Sequence, residues 1–316
     1  MAGLRDIVII DGEEVAGLGG YVALVDALEA AHCEPPAAVE RIVYGPDGRA
    51  EKLLALPAWQ PDEAIGIKLV TVFPDNPPTN GLPSVQAVVV LFDGTSGAPL
   101  ALIDGTELTY RKTAADSALG SRFLSRPDAR TMLMVGAGGL ATHLIAAHRA
   151  VRPSIDRVLV WNRTPDKAEQ LVADGVADMV AGDLAAAAAE ADVICTATLS
   201  KDPLISGEWL QPGTHLDCVG AYLPDHREID DEAVRRAQIY VDSRLATLTE
   251  GGDLVIPIAA GVIQASAVRA DLYELSQGTR AGRADGDGDS ITLFENGGGG
   301  HLDLMVARYL WQARQR

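Results

Sequence analysis

The spacing of apolar residues over the first hundred positions predicts one helix followed by a sheet. Apolar residues recur at helical intervals over 14–31, and Pro35-Pro36 ends that pattern. Short runs typical of strands follow, bounded by turn-forming residues such as Asp93-Gly94. These runs lie at 41–44, 52–56, 65–73, 85–92 and 99–103. Because turns rather than crossover helices separate them, we expect an antiparallel or mixed sheet.

From about residue 129 the pattern changes to strands that alternate with helices. Apolar strands are predicted at 131–135, 157–161, 192–197, 215–219 and 239–241. Helices are predicted at 140–150, 164–174 and 183–191, an exposed loop at 276–290 and a last helix at 302–315. This alternation is typical of an α/β fold with a doubly wound parallel sheet.

Length and charge narrow the class of protein. The chain has 316 residues, a size at which one hydrophobic core stops growing, so we expect two domains. It carries 26 Lys and Arg and 44 Asp and Glu, a net charge of −18, which disfavours nucleic acid and anionic membranes as partners. We find no apolar stretch long enough for a membrane span or a signal-peptide core.

The cysteines and histidines indicate neither a disulfide framework nor a metal site. Cys33, Cys195 and Cys218 are odd in number and far apart, which fits a reduced protein of the cytoplasm. Among the six histidines, His143 and His148 are five positions apart, a spacing that does not share one helix face. We therefore expect a cytoplasmic protein without a metal.

A glycine-rich turn follows the predicted strand 131–135 and opens a helix. Gly136 permits a tight turn, and Gly138 allows the backbone to approach a pyrophosphate. Gly139 and Leu140 begin the helix, whose N-terminal amides attract an anion, and Ala141 permits close helix packing. A strand before the turn and a helix after it make this context typical of dinucleotide binding.

The end of the next strand predicts which dinucleotide binds. An NAD site places a carboxylate there, about 20 residues beyond the glycine turn, to bind the ribose hydroxyls. This chain has Asn162, Arg163 and Thr164 instead, and no carboxylate before Asp166. A guanidinium and two hydrogen-bonding side chains suit a 2′-phosphate, so we predict NADP(H). We add Thr198, which follows the predicted strand 192–197, to the cofactor-binding residues.

With these residues identified, nearly the whole chain resembles the ornithine cyclodeaminase/mu-crystallin family. The resemblance implies a Rossmann dinucleotide-binding domain inserted into an α+β substrate and dimerisation domain, and a homodimer. We place the first domain at 1–120, the Rossmann domain at 121–295 and a returning helix at 296–316. The matching stretches are GIKLVTVFPDNP (66–77), GLPSVQAVVVLFDGTSGAPLALIDGTELT (81–109), KTAADSAL (112–119), MVGAGGLA (134–141), VWNRTPDKAE (160–169), VGAYLPDHREID (219–230) and VDSRLATLTEGGDL (241–254).

The resemblance also implies a substrate site. Lys68 matches a family lysine that contacts substrate near the nicotinamide, and we assign it the catalytic role. The substrate carboxylate is expected on Arg111 or Lys112, since the family's usual arginine is Lys112 here, with Arg41 assisting. Asp303 matches a family aspartate in the substrate site, although it can also be the N-terminal cap of the last helix.

One departure from the family predicts the reaction. Ornithine cyclodeaminases carry an aspartate where this chain has Tyr222. A tyrosine, with a pKa of about 10, is a poor base and cannot pair with the distal ammonium of ornithine. The run PDHRE (224–228) and Asn162-Arg163-Thr164 instead resemble the branch of NADPH-dependent ketimine and pyrroline-2-carboxylate reductases. We therefore expect reduction of an imino acid, such as Δ1-pyrroline-2-carboxylate, to the amino acid.

Three other functions stay open at this point. An ornithine cyclodeaminase in which another group replaces the aspartate would release ammonia from ornithine with catalytic NAD. The same scaffold can host an alanine or opine-type amino-acid dehydrogenase. A non-catalytic, crystallin-like protein would bind NADPH tightly without oxidising it. This alternative stays open because fold alone does not determine chemistry.

Overall fold

The computed structural model describes residues 7–18, 20–221, 223–284 and 286–316. The chain divides into two compact units, one of residues 1–112 and 299–316 and the other of residues 113–298. From the sequence we placed these divisions after residues 120 and 295. The first division falls inside a continuous helix, Gly105–Leu124, where the pattern of apolar residues contains no break. Tyr222, on which the predicted reaction partly rests, lies outside the described residues.

The first unit combines a mixed sheet with helices. Its strands occur in the spatial order β1-β7-β6-β5-β4-β2, with β3 also paired to β4. All pairs are antiparallel except β1 with β7, so the prediction of a mixed sheet is confirmed. The elements are β1 (Val8–Ile10), α1 (Gly12–Gly17), α2 (Tyr21–His32), β2 (Ala38–Val39), β3 (Ile42–Tyr44), β4 (Lys52–Gln60), β5 (Ala64–Val72), α3 (Asn76–Asn80), β6 (Val85–Asp93), β7 (Pro99–Asp104), the start of α4 (Gly105–Leu124) and α12 (Gly300–Arg314).

The two faces of this sheet differ in burial. Helix α12 packs against β5 and β4 and against α2, and side chains at the centre of that face, such as Ala58, Lys68 and Val89, are buried. The opposite face, which we call the open face, is apolar yet only half-buried or exposed among the described residues. Strand alternation and pairing register assign to it Ile9, Leu53, Trp59, Ile65, Ile67, Leu69, Val88, Val90, Phe92 and Leu102.

One predicted helix in this unit needs correction, and helix α4 was not predicted. The single helix expected over 14–31 is two helices, α1 and α2, because the glycine-rich sequence of 17–20 does not favour a continuous helix. Helix α4 was missed because Asp104-Gly105 resembles a turn between strands. The Oδ1 atom of Asp104 accepts the backbone N–H of Glu107 at 2.7 Å, so the pair Asp104 and Glu107 was a capping signal that the sequence already contained.

The second unit is a doubly wound parallel sheet, as predicted. Its strand order is β10-β9-β8-β11-β12-β15-β13-β14, and all pairs are parallel. Strands are added towards one edge from β8 to β10 and towards the other from β11 onwards, so the strand order reverses between β8 and β11. Its elements are the end of α4, β8 (Thr131–Val135), α5 (Gly139–Val151), β9 (Arg157–Trp161), α6 (Pro165–Ala173), β10 (Met179–Val180), α7 (Leu184–Glu190), β11 (Val193–Thr196), β12 (His215–Cys218), α8 (Asp231–Arg236), β13 (Gln238–Val241), α9 (Arg244–Glu250), α10 (Gly252–Ala259), β14 (Val268–Asp271), α11 (Leu272–Ser276) and β15 (Thr292–Glu295).

The strands β14 and β15 were missed from the sequence. Each has four residues, and β15 directly follows the glycine- and aspartate-rich segment that indicated a loop. Strand β15 is nevertheless central, since it lies between β12 and β13 and all four of its residues are buried. Among the described residues, no helix combines the length and the hydrophobicity needed to cross a bilayer.

Candidate functional site

Lys68 and Asp303 form a buried ion pair in the first unit. Lys68 lies in the middle of β5 on the face covered by α12, and Asp303 lies in the first turn of that helix. The Nζ atom of Lys68 lies 2.9 Å from both carboxylate oxygens of Asp303 and donates a hydrogen bond to Oδ1. It also reaches the hydroxyl oxygen of Thr109 at 3.5 Å. The pair places one amine in a defined position inside the unit.

Asp303 does not cap its helix, so that alternative is wrong. The N-cap residue of α12 is Gly299, which has no side-chain hydrogen bond and adopts a φ of 143°, a conformation that favours glycine. Asp303 is the fourth residue of the helix, beyond the cap, and its side chain is directed to Lys68 instead. The glycine-rich sequence before the helix therefore shapes the helix start while leaving Asp303 for the ion pair.

The structure brings Lys112, rather than Arg111, to this pair. The Nζ atom of Lys112 lies 3.7 Å from Asp303 Oδ1, and the side chain is buried. Arg111 pairs with Glu107, at 2.7 Å between Nε and Oε1, and its guanidinium carbon lies 5.6 Å from the centre of the Tyr21 ring. Consecutive residues of a helix project about 100° apart, which explains why the two neighbours have different surroundings. We call Lys68, Lys112 and Asp303 the lysine cluster.

The charges of the lysine cluster do not balance. Burial lowers the pKa of Lys68 despite the Asp303 carboxylate, and the charges of Lys112 and Arg41 lower it further. Burial alone would raise the pKa of Asp303, but Lys68 and Lys112 hold it below its usual range. Arg41, just before β3, is exposed yet close enough to influence Lys68. The cluster therefore has one carboxylate for two lysines, which suits an anionic ligand, and an amine that gives up its proton readily.

Two histidines beside the cluster add no charge to it at neutral pH. His301 and His32 are buried with their rings edge to face, 6.3 Å between centroids. Burial lowers the pKa of His32 to about 4. Burial and the nearby positive charges lower the pKa of His301 to about 3. Both rings are neutral, so lysines and arginine carry the positive charge here.

In the second unit, the predicted glycine turn has the geometry that a pyrophosphate site requires. Gly136 has a φ of 110°, and a Cβ atom there would lie 2.5 Å from the carbonyl oxygen of Ala197, so only glycine fits. Gly138 is the N-cap of α5 with no side-chain cap, and a Cβ added to it would meet no described atom within 4 Å. Gly138 and Gly139 are exposed, and Ala141 is buried against the unit. The helix N-terminus therefore offers its amides to an anion, and the residues fit a bound dinucleotide.

The predicted 2′-phosphate residues follow β9. The Oδ1 atom of Asn162 accepts the backbone N–H of Ala137 at 3.1 Å, and its amide nitrogen donates to the carbonyl of Thr164 at 2.8 Å, which ties this loop to the glycine turn. Arg163 is exposed, and its side chain forms no ion pair or hydrogen bond with any residue that the structure describes. The guanidinium is therefore available to a ligand.

A buried carboxylate that no sequence motif indicated as a site residue, Glu228, organises the loops after β11 and β12. Its Oε1 atom accepts the backbone N–H and the hydroxyl of Thr198 at 2.6 and 2.7 Å. Its Oε2 atom accepts the hydroxyl of Thr196 at 2.8 Å and the backbone N–H of Gly220 at 2.7 Å. Asp253 Oδ1 in turn accepts the backbone N–H of Glu228 at 2.9 Å. The Glu228 position was visible in the PDHRE run, but only the fold shows its partners.

Buried acidic side chains lie close to Glu228, and their pKa values are raised. Burial raises the pKa of Glu228, against four hydrogen bonds that lower it. Burial and the charge of Glu228 raise the pKa of Asp253 to about 7. Burial raises the pKa of Glu295 well above its ordinary value, and the charges of Asp253 and Glu228 raise it further. These groups hold protons more tightly in the folded protein than in the unfolded chain.

Two buried groups in the described part of the chain bring potential metal ligands together. Cys218, Asp253 and Glu295 form one, and His148, Cys195 and Asp217 the other, each with donor atoms within 4.8 Å of one another. In the second, Asp217 Oδ2 lies 3.0 Å from His148 Nε2 and accepts the Cys195 thiol at 2.9 Å, so hydrogen bonds already engage these atoms. The absence of a metal stays a prediction. Sequence spacing missed both groups because their members come from separate elements.

Comparison with known proteins identifies the family. The model of the ornithine cyclodeaminase/mu-crystallin family matches residues 22–315. The chain belongs to this family. The resemblance that the sequence motifs indicated is therefore confirmed.

Relatives and solved structures extend over almost the whole chain. The Δ1-pyrroline-2-carboxylate reductase of Paracoccus denitrificans is 44% identical over 291 residues, 90% of each chain. The Thermococcus litoralis Δ1-pyrroline-2-carboxylate reductase, solved with NADH and L-proline, is 30% identical with a TM-score of 0.89 over 98% of each chain. An archaeal alanine dehydrogenase dimer with bound NAD is 28% identical, with a TM-score of 0.87 over 98% of this chain and 96% of that one.

The buried acids predict a pH dependence of stability. The ordinary pKa of Asp253 is 3.8 and its value in the folded protein is about 7, so its stabilising contribution is fully present below 3.8 and is lost as the pH rises through about 7. Asp253→Asn keeps the Oδ1 acceptor but cannot titrate. We expect the wild type to lose at least about 1.4 kcal/mol relative to this variant over that range, the equivalent of one pKa unit.

The measurement is urea-induced unfolding of both proteins at a series of pH values. Asp230→Asn is the matched control, because the pKa of Asp230 is lowered and its contribution instead appears as the pH rises. Parallel pH profiles for the wild type and Asp253→Asn would contradict the prediction.

Proposed function

We propose that this protein reduces an imino acid of the Δ1-pyrroline-2-carboxylate kind to the amino acid, with NADPH as hydride donor. The chain is an oxidoreductase of the class that acts on carbon–nitrogen double bonds and uses a nicotinamide dinucleotide. The observation that carries the proposal is the lysine cluster, in which two buried lysines share one carboxylate. An α-imino carboxylate supplies the missing negative charge and an imine nitrogen that needs a proton.

The roles of the residues follow from their positions. Lys112 holds the substrate carboxylate with Arg41 assisting, and each charge-assisted contact contributes about 1.5–3 kcal/mol. Asp303 keeps the Lys68 amine in place, and the lowered pKa of Lys68 makes that amine an effective proton donor to the imine nitrogen. The dinucleotide, when bound, supplies a hydride to the imine carbon. A protonated imine is the better hydride acceptor, so one proton and one hydride convert C=N to CH–NH.

Lys68→Met should abolish most of the turnover without affecting the coenzyme. It retains the length of the side chain and removes the proton donor, so we expect kcat/KM for pyrroline-2-carboxylate to fall about a hundredfold or more. The affinity for NADPH, followed by its fluorescence, should stay within about twofold, since the change removes no binding energy from the dinucleotide. Lys52→Met, a strand lysine outside the cluster, is the control. Unchanged turnover in Lys68→Met would remove Lys68 from the mechanism.

The substrate assay for these variants also separates the alternatives. NADPH absorbance is followed with pyrroline-2-carboxylate, piperideine-2-carboxylate, pyruvate with methylamine, and pyruvate with ammonia. Ornithine with NAD is run in parallel and assayed for ammonia. Oxidation of NADPH by an imino acid supports the proposal. Ammonia release indicates a cyclodeaminase, exclusive use of pyruvate with ammonia indicates an alanine dehydrogenase, and tight NADPH binding without turnover indicates a binding protein.

The preference for NADPH over NADH is proposed from the loop after β9. An exposed guanidinium at Arg163, with Asn162 and Thr164 beside it, supports recognition of a 2′-phosphate. Arg163→Ala should lower the affinity for NADPH about tenfold to a hundredfold and leave the affinity for NADH unchanged, because only NADPH carries that phosphate. Lys167→Ala, in the following helix, controls for general loss of positive charge. Equal losses for both coenzymes, or none, would contradict the proposal.

We also propose a homodimer formed through the open face of the first unit. A continuous apolar sheet face of this extent is typical of an interface, and a second copy supplies the same apolar surface in return. A dimer of 33.2 kDa chains is expected by light scattering. Leu102→Asp, within the open face, should shift the protein to the monomer, whereas Leu245→Asp, an exposed leucine of the second unit, should not. A monomeric wild type would exclude the dimer.

The cytoplasm remains the proposed compartment. Cys33, Cys195 and Cys218 form no disulfide, and Cys33 is exposed. An exposed thiol outside a disulfide is better preserved in a reducing environment.

A further inference from the structure

Glu228 lies where the ends of two parallel strands meet. Strands β11 and β12 are neighbours and end at Thr196 and Cys218. In a doubly wound sheet the dinucleotide binds outside the carboxyl ends of the strands, at the point where the strand order reverses. Here that point lies between β8, which leads into the glycine turn, and β11, which leads into Thr198. Glu228 therefore contacts the loops beside the expected dinucleotide site.

Each oxygen of the Glu228 carboxylate accepts one backbone N–H as well as one hydroxyl. Oε1 accepts the N–H of Thr198, and Oε2 accepts the N–H of Gly220. A hydroxyl can rotate towards another acceptor, but a backbone N–H cannot move without its loop. The carboxylate consequently determines the relative positions of the two loops.

The loops are packed too closely to adjust independently. A Cβ atom at Gly220 would collide with the backbone of Thr198 and lie 2.6 Å from Glu228 Oε1. The backbone of Glu228 is also held in place, because Asp253 Oδ1 accepts the backbone N–H groups of Glu228 and Ile229 at 2.9 and 3.0 Å. A completely buried side chain with this many fixed partners transmits any change directly to both loops.

We propose that Glu228 is a positioning residue, which holds Thr198 and Gly220 in the arrangement that orients the nicotinamide half of the bound dinucleotide. Its effect on catalysis rests on the proposed function, whereas its effect on coenzyme binding can be measured without any substrate. Glu228 contributes through the two loops and not by exchanging protons with the imino acid.

The test is Glu228→Gln, which has nearly the same shape. Whichever way the amide is turned, its NH₂ group faces one of the two backbone N–H groups, so one of them loses its acceptor. We expect the affinity for NADPH to fall about tenfold or more, and kcat with it, because small displacements of a reacting group are costly. The affinity for 2′,5′-ADP, which lacks the nicotinamide half, should stay within about twofold. NADH and 5′-ADP are compared in the same way.

Asp230→Asn is the matched control. Asp230 lies two residues away, and its Oδ1 atom also accepts two backbone N–H groups, those of Gly207 and Ala233 at 2.8 Å. This variant should lose stability without changing the ratio of dinucleotide to fragment affinity. If Glu228→Gln does not fold, Thr196→Val removes one of the four hydrogen bonds and should weaken NADPH binding about fivefold, again without affecting the fragment.

Each outcome decides the inference. A selective loss of dinucleotide affinity supports it. Equal losses for dinucleotide and fragment would show a general structural role, and unchanged affinities in the folded variant would show no role, so either result overturns it. A wild type that reduces no imino acid would overturn the proposed function alone, since the affinity ratio would still test Glu228.

Discussion

The ion pair between Lys68 and Asp303 is the interaction on which the first unit depends. Removing an ammonium from water costs several kcal/mol, and a carboxylate at 2.9 Å offsets that cost only in good geometry. The two residues are 235 positions apart, so the pair forms only when the last helix lies on β5. Gly66 permits this approach, because a Cβ atom at that position would lie only 3.0 Å from the Cδ1 atom of Leu304, closer than side chains normally pack. Packing and the candidate chemistry therefore depend on the same contact.

The second unit depends on a different constraint, the close approach of backbone segments at the carboxyl ends of parallel strands. Gly136 lies against Ala197, and Gly220 lies against Thr198, at distances that exclude any side chain. Glu228 satisfies backbone N–H groups that these approaches would otherwise leave buried and unpaired. The turn that suits a pyrophosphate is thus part of a rigid edge, which is the kind of support that a precise binding site requires.

The net charge of the chain does not describe the charge at its candidate sites. The formal value of −18 counts every acid as ionised. Burial raises the pKa values of Asp253 and Glu295, which therefore favour their protonated forms more than exposed acids do. The positive groups of the candidate sites, by contrast, are few and locally concentrated, as in the lysine cluster. A strongly acidic protein can consequently present sites suited to anions, because local arrangement and not total charge determines the field at a site.

The sequence by itself determined the fold class, the glycine turn and the family, because these depend on local periodicity and on motifs whose residues are adjacent in the chain. It also selected Lys68, Lys112 and Asp303, but it left open which of Arg111 and Lys112 binds the substrate carboxylate and whether Asp303 caps a helix. Only the tertiary structure shows that Lys112, and not Arg111, lies beside Asp303. It also shows that Asp303 pairs with Lys68 and does not cap its helix, because the packing of α12 on β5 brings these two side chains together. The roles of Glu228 and Asp253 were equally inaccessible, because hydrogen bonds between distant segments leave no periodic signal in the sequence.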